Sequence, residues 1–173
     1  MSRRDAELVA LDGPHGVARL KGVMGRFVTG VTVVTALEDG VPVGFTCQSF
    51  VPLSLSPPLV ALASAKTSTS WPRMAASGSF CVNVLGRDQV DLAEAFAVSG
   101  GDKFAGVAWG RAATGAPVLE GAVAYVDCSL VVAHDAGDHE LVVGRVVDTG
   151  WREAPPLVYY RGRYTGLGEH AAP

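Results

Sequence analysis

VTVVTALEDGVPVGFTC, residues 31–47, holds two runs of β-branched and apolar residues around Glu38-Asp39-Gly40. Val31–Leu37 reads as one strand and Val41–Cys47 as its returning partner. Branched side chains sit well on a pleated surface, and Asp-Gly tolerates the positive φ that a tight hairpin turn demands. An antiparallel hairpin is therefore the first element, and the rest of the chain is read outward from it.

On the N-terminal side, Val17, Leu20, Met24, Phe27 and Val28 recur at helical spacing, and Gly30 ends that pattern. On the C-terminal side, Ser54-Leu55-Ser56-Pro57-Pro58 reads as a loop and Leu59–Ser64 as a third, buried strand. A hydroxyl-rich segment, Ala65 to Ser70, leads into a short helix from Trp71 to Ala76, with Pro72 at an early helical position. Phe80–Leu85 is a strand. Asp88 is expected to cap a helix carrying Val90, Leu92, Ala93 and Phe96. Gly100–Gly121 reads as a loop with Lys103, Phe104 and Trp109 as its bulky members. Ala122–Ala133 and Glu140–Asp148 form a long strand pair around a turn at His134–Asp138. Leu157–Tyr160 and Arg163–Leu167 close the chain. Many short strands, few helices and no βαβ alternation predict a mainly β fold, an antiparallel barrel or sandwich.

The chain has 173 residues, enough for one domain, with 49% hydrophobic and 18% charged residues. About a quarter charged is usual, so apolar surface is left over for a partner subunit or a ligand. A net charge of −3 excludes a strongly basic nucleic-acid binder. The 26 Val with no Ile, and the 11 Arg against 3 Lys, are read as a coding bias without functional content. Cys47, Cys81 and Cys128 form no CxxC pair and read as reduced, buried thiols. Arginines followed by Asp5 and Glu7 make no signal peptide, and no apolar run approaches the roughly 18 residues that cross a bilayer. The expectation is a cytoplasmic protein with a lead-in at 1–16, one domain at 17–168 and a tail at 169–173.

No GxGxxG, GxxxxGK[ST], GxSxG, HExxH or SxxK pattern is present. Four polar clusters remain. Lys66 with Thr67, Ser68, Thr69 and Ser70 could cradle an anion ahead of a helix, although ordinary capping is the commoner use of such residues. Thr46-Cys47-Gln48-Ser49 interrupts an apolar strand, and buried polar groups need partners that a ligand could supply. His134, Asp135, Asp138 and His139 resemble metal ligands, but the spacing fits no standard zinc pattern and a polar turn is the stronger reading. Tyr159-Tyr160-Arg161-Gly162-Arg163-Tyr164 could stack on a planar ring and hold phosphates, or simply face water.

Taken together, FVTGVTVVT (27–35), GFTCQSFVPLSLSPPL (44–59), FCVNVL (80–85), DKFAG (102–106), GDH (137–139) and PLVYY (156–160) resemble the flavin reductase family. These are small NAD(P)H-dependent reductases that supply reduced flavin to two-component monooxygenases. Each piece is weak, whereas their order and joint presence are specific. TCQSF, SGSFCVNVL, AYVDC, HDAGDH and YYRGRYTG most resemble reductases that serve hydroxylases of phenolic or steroid-derived aromatic substrates.

The resemblance implies an FMN-binding split β-barrel built as a homodimer, using FMN or FAD with NADH or NADPH, beside a separate oxygenase, with no nucleic-acid or membrane partner. It implies flavin contacts at Phe45, Thr46, Gln48 and Ser49, and at Ala63, Ser64 and Ala65. Lys66, Thr69 and Ser70 are implied near the phosphate, with Phe96, Lys103 and Phe104 near the flavin. On the nicotinamide side it implies His139 as the catalytic candidate with Tyr160, Arg161 and Gly162, and with Tyr164. Hydride passage between two stacked rings needs no acid–base pair from the protein, in keeping with its absence among the motifs. A non-catalytic flavin- or haem-binding split barrel and a pyridoxamine-phosphate-oxidase-like enzyme are the rival readings.

Overall fold

A computed structural model describes residues 13–167. Residues 1–12 of the expected lead-in, the last residue of the expected domain at 168 and the whole expected tail at 169–173 lie outside the described residues.

The hairpin at 31–47 forms with its turn at Asp39 and Gly40, whose φ values of 50° and 82° are both left-handed. It joins β2 (Thr32–Glu38) to β3 (Val41–Cys47), pairing Glu38 with Val41 and Thr32 with Cys47. The first helix, α1, runs Pro14–Met24, shorter at its C-terminal end than the periodicity predicts, because the chain turns at Gly25 toward β1 (Thr29–Gly30). The expected loop at 54–58 contains half of a strand instead. β4 (Val51–Leu55) pairs with β5 (Pro58–Ala65). Its Pro52 is tolerated because β4 is an edge strand that needs donors on one side only.

Next come α2 (Trp71–Ala76), β6 (Ser79–Val84) and α3 (Val90–Ala97). Gln89, not Asp88, occupies the N-cap of α3, and its side chain accepts a hydrogen bond from the Gly86 amide at 2.9 Å. The expected loop at 100–121 holds a small hairpin, β7 (Trp109–Arg111) with β8 (Pro117–Leu119). The long pair is longer than expected: β9 spans Ala124–Ala136 and β10 spans His139–Trp151, so His134 and Asp135 lie in a strand and the turn shrinks to Gly137-Asp138. β11 (Val158–Tyr160) and β12 (Arg163–Thr165) close the chain; β11 pairs with β12 on one side and with β1 on the other.

Seven strands make one antiparallel sheet in the order β3-β2-β6-β9-β10-β5-β4. β3 and β4 are consecutive in the chain yet occupy opposite edges. A flat sheet would hold those edges about 29 Å apart, at roughly 4.8 Å per strand. Only Gln48, Ser49 and Phe50 join Cys47 to Val51, a reach of about 14 Å. The sheet must therefore curl into a barrel. Ser49 closes the seam: its hydroxyl donates to the Ala63 carbonyl at 3.0 Å and accepts from the Ala63 amide at 2.8 Å. Inside the curl lies a core that includes Val34, Val60, Leu62, Phe80, Val82 and Val142. Gly144 is required there, since a Cβ would stand 2.5 Å from the Phe80 ring. A second core, with Leu85, Phe96, Phe104 and Leu119, lies under α3 and the β7–β8 hairpin.

Candidate active site

The seam between β3 and β5 is where the sheet is joined by the Ser49 hydroxyl and a long Cys47 Sγ–H bond to the Ala63 carbonyl at 3.9 Å rather than by a backbone ladder, and a cleft of about 520 Å³ opens beside it. Small-molecule clefts usually hold roughly 300–1,000 Å³. The end of β3 supplies Phe45, Thr46 and Cys47, and the connection adds Gln48 and Ser49. Across the seam stand Ala63, Ser64 and Ala65 at the end of β5. The segment after β5 adds the hydroxyls of Thr67, Ser68, Thr69 and Ser70. Cross-strand pairing of His139 with Ala65 brings the start of β10 to the same cleft.

Polar groups in the wall differ in how they are satisfied. Thr46 Oγ1 donates to the Ala93 carbonyl of α3 at 2.6 Å, and Ser68 Oγ accepts from the Trp71 amide at 3.1 Å. Trp71 in turn donates its indole N–H to Glu140 at 2.8 Å, tying α2 to β10. The Ser64 hydroxyl is different: it is buried and has no hydrogen-bond partner. A buried, unpaired hydroxyl is unfavourable by about 1–3 kcal/mol. On β5 it shares the core-facing side with Val60 and Leu62, while Ala63 and Ala65 take the other.

Phe96 and Lys103 face the same space from α3 and the loop beyond it. That loop reverses through Gly100 and Gly101, with φ of 80° and 71°. Lys103 can then reach back to donate to the carbonyls of Phe96 and Gly44 at 3.1 and 3.2 Å. Burial holds its pKa below the usual lysine value. Phe104 is not in the cleft wall. It lies behind Phe96, edge-on at 4.9 Å, and lines a neighbouring cavity instead.

The nicotinamide-side expectations divide. His139 and Tyr164 line the cleft, whereas Tyr160, Arg161 and Gly162 do not. Residues alternate faces along a strand, so Tyr159, not Tyr160, points inward. Tyr159 opposes Tyr164 across the β11–β12 hairpin, with ring centroids 5.2 Å apart. Tyr160 and Arg161 line a separate hollow with Arg163, and Gly162 borders a groove near α1. Lys66 also points away, held by Asp135 at 2.5 Å.

Groups able to move protons are few. His139 Nδ1 lies 2.7 Å from Asp138, whose carboxyl that contact holds below the usual range. Burial raises all three thiols, that of Cys128 to about 12, so none is a thiolate nucleophile. Asp135 and Asp138 take separate partners, and no group of three or more His, Cys, Asp or Glu among the described residues could hold a metal. The cleft is thus rich in hydroxyls and aromatic rings and poor in acid–base chemistry. Such a wall suits a planar ligand that brings its own reactivity.

The cleft members that the sequence reading leaves out are Ala97 and Ser99, whereas Cys47, Thr67, Ser68 and Tyr159 stand in its wider polar clusters but not among its flavin or nicotinamide contacts. Alternation along β11 from the Arg161-Gly162 turn was the available signal for Tyr159. Nothing local marks Ala97 or Ser99, which arrive through the placement of α3.

Comparison with known proteins agrees with the expected fold and activity. Residues 24–168 match the family described as the flavin reductase like domain. The chain is 50% identical over 150 residues to the reductase subunit HsaB of a flavin-dependent monooxygenase from Rhodococcus jostii, covering 86% of this chain and 77% of that protein. The crystal structure of nitrilotriacetate monooxygenase component B from Mycobacterium thermoresistibile superposes with a TM-score of 0.87 at 42% identity, covering 91% of this chain and 89% of that one. The NADH:FAD oxidoreductase SgcE6 of Streptomyces globisporus, in complex with NAD and FAD fragments, superposes with a TM-score of 0.86 at 34% identity, covering 92% and 98%. The antiparallel split barrel and the reading of an enzyme of the flavin reductase type are both borne out. By sequence, by fold and by the cleft at its barrel seam, the chain belongs to the flavin reductase like domain family.

Proposed function

We propose that the chain transfers hydride from NADH or NADPH to FMN or FAD in the seam cleft. The reduced flavin then passes to a separate monooxygenase acting on aromatic or phenolic compounds. The observation that carries this reading is the seam cleft itself, walled by the hydroxyls of Thr67, Ser68, Thr69 and Ser70 and by the rings of Phe45, Phe96, Tyr159 and Tyr164. Those residues fit a flavin, which presents an apolar ring face and a polar edge. When bound, the flavin supplies the redox chemistry and the protein supplies position and electrostatics. Phe45, Thr46, Gln48, Ser49, Ala63, Ser64 and Ala65 would hold the ring system, with Phe96 as an apolar wall. Thr69 and Ser70 would face its phosphate end. His139, Tyr159 and Tyr164 would orient the nicotinamide. Tyr160, Arg161 and Gly162 lie beyond the cleft wall, and Tyr164 joins the cleft to the hollow that Tyr160 and Arg161 line. Initial rates of NADH and NADPH oxidation with FMN, FAD and riboflavin test the proposal. Oxidation that saturates with added flavin is expected, and none with any flavin would refute it.

The enzyme is further proposed to work as a homodimer in the cytoplasm, with 17–168 as one functional domain. A groove of about 890 Å³ runs beside α1 and shares Gln48, Ser49 and Tyr159 with the cleft. Phe27 in this groove is 75% exposed, and Met24, Val28 and Val51 beside it are also exposed. Apolar exposure on this scale marks an interaction site, and a second copy would cover it while completing the cleft. Phe27→Asp is expected to shift sedimentation toward monomer and raise the flavin KM several-fold. A wild-type protein that is monomeric and fully active would remove the dimer from the account. Three buried, unpaired thiols agree with a reducing compartment, and no described helix is long and apolar enough to cross a membrane.

A further inference from the structure

Asp138 and Glu140 flank His139, and both are gripped by the segment that joins β5 to α2. At the start of that segment, the Lys66 amide donates to the Asp138 carbonyl at 3.0 Å. At its far end, the Trp71 indole N–H donates to the Glu140 carboxylate at 2.8 Å. The Lys66 ammonium adds a bond to Asp135, but both side chains of that pair are exposed, where an ion pair contributes only about 0–1 kcal/mol.

The Glu140 link is of another kind. Trp71 is 3% exposed and packs in the barrel core, edge-on to Phe80 at 6.4 Å. A buried indole N–H requires an acceptor, and a carboxylate is a strong one. Glu140 can serve because successive residues of a strand face opposite sides. It pairs with Ser64 as Val142 pairs with Leu62, so its side chain turns toward the core while His139 turns to the cleft. Trp71 also donates its backbone amide to Ser68 Oγ at 3.1 Å. Ser68, Trp71, Glu140 and His139 thus form a connected row. Its two ends line the cleft, and its middle runs behind the cleft wall.

We propose that Glu140 is a positioning residue for the nicotinamide: by holding the Trp71 indole it fixes the start of β10 to the core, and with it the place of His139 in the cleft. This deepens the proposed function and rests on it. Glu140 touches neither the flavin nor the nicotinamide. It has one hydrogen bond to accept, and its effect reaches the reaction only through His139. A role in stability alone would act whether or not the His139 ring is present.

A double-mutant cycle separates the two roles. The measurement is the KM for NADH at saturating FMN in the wild type, Glu140→Met, Glu140→Asp and Glu140→Gln, each with and without His139→Ala. Glu140→Met removes the acceptor and keeps the bulk, so the KM is expected to rise at least about fivefold, the lower range of coupling between linked sites. Glu140→Asp keeps the charge but draws it back from the indole, and a smaller rise is expected. Glu140→Gln keeps an acceptor oxygen and should restore most of the wild-type value. Both rises should vanish when His139→Ala is present. FMN affinity by fluorescence quenching, measured without NADH, should be unchanged and reports that the variants fold. Should Glu140→Met bind no FMN, the Glu140→Asp cycle decides alone. No rise in KM, a rise of equal size with and without His139→Ala, or a rise that glutamine does not relieve would each overturn the assignment. So would an FMN affinity weakened as much as that for NADH, since the link would then serve the hydroxyl segment. An unchanged KM for NADH in His139→Ala alone would overturn the nicotinamide placement on which the proposal stands. No NADH oxidation by the wild type with any flavin would overturn the flavin reading itself, a different failure.

Discussion

Alanine at position 44 is expected to destabilise the protein by about 2–3 kcal/mol and to weaken flavin binding at the same time. Gly44 lies in β3 opposite Thr35. A Cβ there would stand 2.8 Å from the Phe96 ring and 2.8 Å from the Val34 carbonyl oxygen. The ring could tilt, but the Val34 oxygen belongs to the core hairpin and cannot. Overpacking of a well-filled core usually costs about 1–3 kcal/mol, and here the clash includes backbone. For a chain of this length each kcal/mol lowers Tm by about 2–4 °C, so a fall of roughly 8 °C is expected in thermal unfolding. Phe96 lines the cleft and its carbonyl receives Lys103, so displacing it should raise the flavin KM as well. A Tm within about 1 °C of the wild type would show that β3 and α3 are not packed this closely.

Replacing Asn83 with leucine should have a comparable effect on stability by a different route. Asn83 is fully buried in β6. Its amide donates to the Val33 carbonyl at 3.1 Å and to Thr35 Oγ1 at 3.0 Å, and its oxygen accepts from the Leu119 amide at 2.8 Å. One side chain thereby fastens the β7–β8 hairpin to the barrel. Leucine preserves the volume but leaves the Leu119 N–H buried without an acceptor, a loss of about 1–3 kcal/mol for that group alone. The Thr35 hydroxyl keeps its bonds to the Cys81 and Pro117 carbonyls, which limits the damage on that side. Global stability by denaturant titration should fall by about 3 kcal/mol. Because Trp109 of the same hairpin packs on Phe104, and Phe104 on Phe96, the loosening should extend toward the cleft. Unchanged stability would mean that the network is dispensable.

What could be read in advance follows from where the physics is local. β3 was bounded correctly at Val41 and Cys47, because an Asp-Gly turn dictates its own backbone and the alternation on either side follows. β4 was missed because its signals, two serines and three prolines near 52–58, are those of a loop. Only the curl of the sheet, which brings β5 alongside, makes a strand of it. The β7–β8 hairpin was missed for a similar reason: its three-residue strands are held by Asn83, which is remote in sequence. In the cleft, the runs Phe45–Ser49, Ala63–Ala65 and Thr67–Ser70 each lie on one segment and were recognisable as polar interruptions. The direction of Lys66 was not, since it depends on β9 extending far enough to present Asp135. Equally, the place of Lys103 in the cleft depends on a loop that doubles back through two left-handed glycines.

The surplus of apolar residues also takes a definite place. Much of it fills two cores, one inside the barrel and one beneath α3. Part of the remainder lies beside α1 and along the β4 edge, and part is spread over β9 and β10.

Everything said of the cleft depends on electrons leaving the nicotinamide for a flavin and for no protein group. Mixing enzyme, limiting NADH and excess FMN without oxygen tests this directly, by following both absorbances. One FMN should bleach for each NADH oxidised, at a rate that rises with enzyme, and admitting oxygen should restore the flavin colour. NADH oxidation that proceeds without bleaching, or no oxidation at all, would contradict the account.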